Sequence, residues 1–117
     1  MEPEATVDQD VVVVLDIVDL RDRTAMEKHL RREGLRPIDG EPFAYLGHTT
    51  THTVNTLLYI HDAVKKAIRK GGFSSCGMMV GIGEGPLRSY RFDPVSDAFV
   101  LWDMLGYNDK KNGSKEA

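Results

Sequence analysis

Short apolar stretches alternate with polar segments along the chain, and the spacing inside each stretch predicts the element that it forms. The first stretch, Val11–Val18, is rich in β-branched valine and predicts a central strand that is buried on both faces. Asp16 interrupts this strand near its end, and Asp19 follows where the strand should stop. The preceding residues, 1–9, are small and acidic, so they predict a flexible tail.

Two segments have the periodicity of amphipathic helices. Met26 and Leu30 form the apolar stripe of the first helix, which we expect over about 23–33. Either Asp22 or Thr24 can supply its N-cap, because both side chains accept a hydrogen bond from an unpaired backbone amide. The second helix has the strongest helical pattern in the chain and begins behind a threonine-rich run; its stripe comprises Val54, Leu57, Leu58, His61, Val64 and Ile68.

The remaining apolar stretches predict strands. Asp39-Gly40 separates two short stretches that each contain a proline, which predicts a hairpin at the edge of a sheet. Phe73–Ile82 and Leu87–Phe92 predict two further strands joined by a glycine-rich turn. A last apolar segment predicts a short helix over 95–107.

These elements follow the order β-α-β-β-α-β-β plus the short C-terminal helix. Two helices of comparable length on one face of an antiparallel sheet are typical of the ferredoxin-like arrangement, so we expect an α+β fold of that type. The predicted organisation is a flexible acidic tail at 1–9, a ferredoxin-like domain at 10–94, the helix at 95–107 and a flexible tail at 108–117.

The composition agrees with one globular domain. Of the 117 residues, 41% are hydrophobic and 28% are charged, which argues against wholesale disorder and fibrous architectures. The longest apolar run, Val11–Leu15, is far shorter than the roughly 20 residues that cross a bilayer. The acidic first ten residues do not resemble a signal peptide, and Cys76 has no second cysteine to pair with. A cytoplasmic protein is therefore expected.

The net charge is −3, yet the basic residues concentrate in 21–36, in 65–72 and in the twenty residues that follow. If the fold brings these segments to one side, they form a positive surface that suits a phosphate backbone. The alternative is a set of ordinary solvated helix faces. The candidate nucleic-acid-binding residues are Arg21, Arg23, Arg31, Arg32, Lys65, Lys66, Arg69 and Arg88.

Asp16 and Asp19 are candidate catalytic residues. A carboxylate in an apolar strand is costly to bury unpaired, so it must reach solvent, a base or a metal ion. One hypothesis is a Mg²⁺ ion held by Asp16 beside a bound phosphodiester, where the ion would polarise phosphate and water. The other is a solvated acid at the end of a strand, paired with Arg21 or Arg23.

His48 and His52 are the other candidate catalytic residues. An imidazole can move protons near neutral pH without a metal, so either histidine is a candidate general acid or base in RNA cleavage. The spacing of four would suit a zinc pair only on a continuous helix, and this stretch spans a loop and a helix start with no third ligand placed by a motif.

Three stretches, Met26–Leu35, Gly40–Tyr45 and Asp62–Ala67, resemble the endoribonuclease antitoxins of type V toxin–antitoxin systems. The first strand, through Val12–Asp16, is also similar to that of the small CRISPR-associated ferredoxin-like nucleases, which implies a metal-site role for Asp16. These resemblances imply RNA cleavage or regulation by a ferredoxin-like protein that works as a small oligomer.

Two functions stay open. The first is a small endoribonuclease or antitoxin-type regulator that binds single-stranded RNA, with Tyr45 or Tyr90 stacking on exposed bases. The second is a non-enzymatic oligomeric interaction or regulatory module, in which a homodimer covers the open face or edge of the sheet. In this second case the apolar segment Phe99–Leu105 is a candidate for covering the sheet in trans.

Overall fold

A computed structural model gives the structure of the protein and describes residues 8–102. Its elements are β1 (Gln9–Val18), α1 (Arg23–Arg32), β2 (Arg36–Ile38), β3 (Glu41–Thr49), α2 (Thr53–Gly71), β4 (Ser75–Ile82), β5 (Arg88–Asp93) and β6 (Ala98–Leu101). Within this range the strands form one sheet in the order β2-β3-β1-β4-β5-β6, and all neighbours are antiparallel. The predicted α+β class with an antiparallel sheet is confirmed.

One face of the sheet carries the core. Val11, Val13 and Leu15 alternate along β1 and are buried in the same cluster as the apolar residues of α1 and α2. Val14 and Asp16 point the other way and are exposed. The prediction that the first strand is buried on both faces is therefore wrong, because the helices cover only one of them.

The helix boundaries follow the predicted capping residues. Asp22 rather than Thr24 is the N-cap of α1, and its carboxylate accepts a hydrogen bond from the backbone N–H of Ala25 at 3.0 Å. The chain leaves α1 through Gly34 at a φ of 94° and leaves α2 through Gly72 at a φ of 75°. Glycine adopts these left-handed conformations without the steric cost of a Cβ atom.

The fully buried thiol of Cys76 belongs to the core side of β4. Burial raises the pKa of this thiol to about 12, because a thiolate would lose its hydration there. The default prediction for a lone cysteine on a strand, a packed and unreactive thiol, fits this environment.

The predicted helix over 95–107 is wrong in its first part. Residues 98–101 form β6, in which Phe99 is buried and Val100, on the opposite face, is exposed. Ser96 caps no helix; its hydroxyl donates to the carboxylate of Asp93 in the turn before β6. The rest of the segment, 103–107, lies outside the described residues.

The predicted tails fall almost wholly outside the described residues. The structure describes only Asp8 and Gln9 of the segment 1–9, and Gln9 is the first residue of β1. The segment 108–117 lies beyond the described range. The predicted edge hairpin is present as the antiparallel pair of β2 and β3, with β2 at the outside of the sheet.

Candidate functional site

Asp16 lies on the sheet face that the helices leave uncovered. Directly across from it on β4 is Gly77, and Arg91 of β5 is the next residue in the same row. Residues that face each other in antiparallel strands share a side of the sheet, so Asp16 and Arg91 belong to one surface. The basic residue on the same surface as Asp16 is therefore Arg91, which is not among the sequence-based candidates.

The predicted nucleic-acid-binding residues do not surround Asp16. α1 and α2 pack on the opposite side of β1 and carry six of them: Arg23, Arg31, Arg32, Lys65, Lys66 and Arg69. Arg88 faces the buried Val80 on the helix-covered side, and Arg21 lies in the loop before α1 with its backbone N–H bonded to Gly72. The sheet thus separates Asp16 from the basic side chains of α1 and α2.

Several of these cations are held by carboxylates of the chain itself. The pairs are Arg23 with Glu27, Lys65 and Arg69 with Asp97, and Lys66 with Asp62. Arg23 also lies 4.2 Å above the ring of Phe43, and Glu27 accepts a hydrogen bond of 2.7 Å from the hydroxyl of Tyr45. These contacts reduce the positive charge that the helices present to solvent.

The contact between α2 and the turn before β6 gives a prediction for Asp97. The hydrogen bond from Arg69 lowers the pKa of the Asp97 carboxyl, with a smaller contribution from the charge of Lys65. We expect Arg69→Met to return this pKa towards the ordinary value of an aspartate, as measured by NMR titration of the carboxyl carbon. Because the folded-state pKa is the lower one, the stabilisation is present above the ordinary pKa and is lost as the pH falls through the folded value.

Lys66→Met is the matched control for this titration, since Lys66 pairs with Asp62 on the same helix. It removes one positive charge from the exposed face of α2 without touching the turn. An unchanged Asp97 pKa in Arg69→Met, or an equal rise in both variants, would contradict the contact.

The stacking role predicted for Tyr45 or Tyr90 is wrong. Tyr45 has no exposed surface, and burial together with the hydrogen bond to Glu27 raises the pKa of its hydroxyl. Tyr90 is 6% exposed and its ring packs edge-on against His61 with 4.4 Å between centroids. Neither ring can present a face to a base. The same contact makes His61 a packed histidine, and burial lowers its pKa.

The other predicted catalytic residues occupy separate places. The carboxylate of Asp19 accepts a hydrogen bond of 2.8 Å from the hydroxyl of Ser74, at a residue with a φ of 59°. His48 is exposed near the end of β3, where its Nδ1 lies 3.4 Å from an Asp10 oxygen and its Nε2 pairs with Asp8. His52 precedes α2 as its N-cap residue and makes no side-chain capping bond. The structure brings neither histidine to Asp16.

A cavity of about 440 Å³ lies between the end of β3 and the start of α2, a feature that sequence reasoning missed. The hydroxyls of Thr49, Thr51 and Thr56 bond to one another at 2.8 to 3.1 Å on one of its sides. On another side the hydroxyl of Tyr59 donates to the carboxylate of Glu33, and this bond raises the pKa of Tyr59 to about 12. The threonine-rich run was the signal for the hydroxyl cluster, whereas Glu33 reaches the cavity from the end of α1, which no local pattern indicates.

The uncovered face of the sheet, called the open face below, is the larger surface feature. Its apolar side chains are Val12, Val14, Val18, Leu46, Met79, Leu87, Val100 and Trp102. Val14, Val100 and Trp102 are 41%, 41% and 44% exposed. Asp16 and Arg91 lie within this apolar surface, and the Arg91 guanidinium is 5.6 Å from the Trp102 ring centroid.

Comparison of the chain with known protein families, with curated proteins and with solved structures finds no match. The fold and its surfaces define an α+β protein with an open antiparallel sheet covered by helices on one side. Among the described residues, no helix is long and apolar enough to span a membrane. Within 8–102, no group of three or more His, Cys, Asp and Glu side chains is placed to hold a metal ion.

Proposed function

We propose that the chain is a non-enzymatic association module that forms a homodimer through the open face. We further propose that it belongs to the ferredoxin-like class. The strands β2-β3-β1-β4, with α1 after β1 and α2 after β3, follow the order of that fold, and the β5–β6 hairpin extends the sheet beyond β4. The observation that carries the proposal is the uncovered apolar surface of the sheet.

The chemistry of the open face favours a protein partner. Aliphatic side chains such as Val14 and Leu46 gain free energy when another apolar surface removes them from water, at roughly 25 cal/mol per Å². A surface that binds single-stranded RNA instead needs exposed aromatic rings and several basic side chains. Trp102 is the exposed ring that we place on the open face, and its surroundings are mainly aliphatic.

The charges on the open face favour a second copy of the chain as that partner. A two-fold interface places the same patch on both sides, so the patch must be complementary to itself. Asp16 and Arg91 share one row, separated by the strand position of Gly77. A two-fold axis near this row would set each Asp16 against the partner's Arg91, which makes both ends of the contact attractive.

Endoribonuclease activity centred on Asp16 has weaker support from the geometry. The basic side chains of α1 and α2 that would hold phosphates lie across the sheet from Asp16, and several of them already pair with carboxylates. His48 and His52 are remote from that row as well. Association therefore explains more of the surface than cleavage does.

Two charge-reversed variants test the proposed pairing. We expect Asp16→Arg and Arg91→Asp each to weaken the homodimer by about 10-fold or more, since each variant sets like charges against each other. An equimolar mixture should restore a complex, because both contacts would then join an arginine of one variant to an aspartate of the other. Sedimentation velocity over a range of concentrations measures the mass against the chain mass of 13.1 kDa.

The variants Asp62→Arg and Lys66→Asp are the matched controls, since this exposed pair lies on α2, away from the open face. Both should keep the affinity of the unmodified chain. A wild-type protein that stays monomeric at every concentration would overturn the proposal. So would single reversals that dimerise as tightly as the unmodified chain.

A further inference from the structure

A second cavity, of about 310 Å³, lies between α1 and the last turn of α2. It is lined by Ala25, Lys28, His29, Arg32 and Lys70. These helices pack on the side of the sheet opposite the open face, so the cavity is independent of the proposed dimer contact. Of its lining residues, Arg32 alone is among the sequence-based candidates, and the proposed function uses none of them.

The cavity concentrates positive charge. Lys28 and Arg32 are one helical turn apart on α1, and Lys70 approaches from α2. Within residues 8–102, no carboxylate oxygen lies within 4.0 Å of the side-chain nitrogens of these three residues. They differ in this respect from Lys65, which pairs with a carboxylate.

The buried ring of His29 is an independent observation at the same place. His29 is 7% exposed and lines the cavity, and both of its ring nitrogens lack a hydrogen-bond partner among the described residues. Within the described residues the nearest carboxylate oxygen, Oε2 of Glu33, is 3.9 Å from Nε2 and so beyond hydrogen-bond distance, while Oε1 of Glu33 accepts from the hydroxyl of Tyr59. An imidazole always carries at least one N–H, and an unpaired buried donor is unfavourable, so this ring needs an acceptor.

We propose that this cavity binds the phosphate group of a small phosphomonoester. A phosphate dianion offers acceptor oxygens for the arginine fork and for two ammonium groups, and for the imidazole N–H once the buried His29 ring turns towards it. The concave shape and the three cations suit one compact dianion, whereas a nucleic-acid backbone would need basic side chains spread along an extended groove. Arg32 and Lys70 would provide the strongest contacts, because they come from different helices and fix the ligand between them.

NMR titration with inorganic phosphate at low ionic strength tests the site. We expect a dissociation constant of about 1 mM or tighter, with shifts confined to the amides around Lys28–Arg32 and Lys70 and to the ring of His29. A nucleoside 5′-monophosphate should bind at the same place, and the matching nucleoside should not. Arg32→Met should weaken phosphate binding by at least about 10-fold.

Arg31→Met is the matched control. Arg31 neighbours Arg32 in the last turn of α1 but does not line the cavity, so its loss should leave the affinity within about twofold. Equal weakening in both variants would show that the basic residues only offset the helix dipole, and it would overturn the proposal. Absence of phosphate binding would overturn it too, as would tighter binding of an RNA strand without terminal phosphates that depends on Arg32.

Discussion

Replacing Val14 with aspartate is expected to convert the proposed homodimer into a folded monomer. Val14 occupies the middle of the open face, between Ala44 on β3 and Met79 on β4. A carboxylate at this position would lose its hydration when a second apolar face closes over it, and its strand neighbours Ala44 and Met79 are apolar. We expect the dissociation constant of the dimer to rise at least about 100-fold, as measured by sedimentation velocity.

The control for this experiment is Val95→Asp. Val95 is 93% exposed in the turn between β5 and β6, so the same change of side chain should leave the dissociation constant of the proposed dimer unaltered. Circular dichroism establishes that both variants keep their secondary structure. Val12→Asp, between Leu46 and Gly81 on the open face, provides a second position if Val14→Asp does not fold. A dimer that tolerates aspartate at both positions would exclude the open face as the interface.

Leu30→Ala is expected to give a large loss of stability. Leu30 has no exposed surface, and its side chain belongs to the core cluster between α1 and the sheet. Removing the side chain beyond Cβ leaves a cavity that the surrounding core can only partly close. We expect the free energy of unfolding to fall by about 2–5 kcal/mol, as measured by urea denaturation.

The same substitution at an exposed leucine separates packing from helix propensity. Leu58 lies on α2 and is 64% exposed, so Leu58→Ala should change the free energy of unfolding by no more than about 0.5 kcal/mol. Similar losses in the two variants would mean that α1 does not pack as described. Both leucines are helical and the change is identical, which makes burial the variable that differs.

The helices and most strands could be predicted from the sequence because their signals are local. The stripe of Met26 and Leu30 and the N-cap at Asp22 lie within a few residues of one another, and each is confirmed in α1. The strand β6 could not be predicted in the same way. Its Phe99 is buried by packing against rings from other elements, and a short apolar segment does not reveal such contacts.

The candidate site was harder to predict, because its geometry depends on which face of the sheet the helices cover. Alternation along β1 shows that Asp16 and Leu15 lie on different faces, but it does not say which face is buried. In the structure the basic side chains of α1 and α2 lie on the same side of the sheet as Leu15, whereas Asp16 and Arg91 lie on the other side. Sequence positions 16 and 91 become neighbours only through the pairing of three strands.

The rate at which Cys76 reacts with an alkylating reagent can report how often the core opens. Because Cys76 is buried between β4 and the helices and burial raises the pKa of its thiol to about 12, an alkylating reagent meets no reactive thiolate while the core stays closed. Consumption of the reagent must wait for an opening event that lifts the helices from the sheet. The rate of labelling therefore counts such openings without any added probe, and it does so in the unmodified chain.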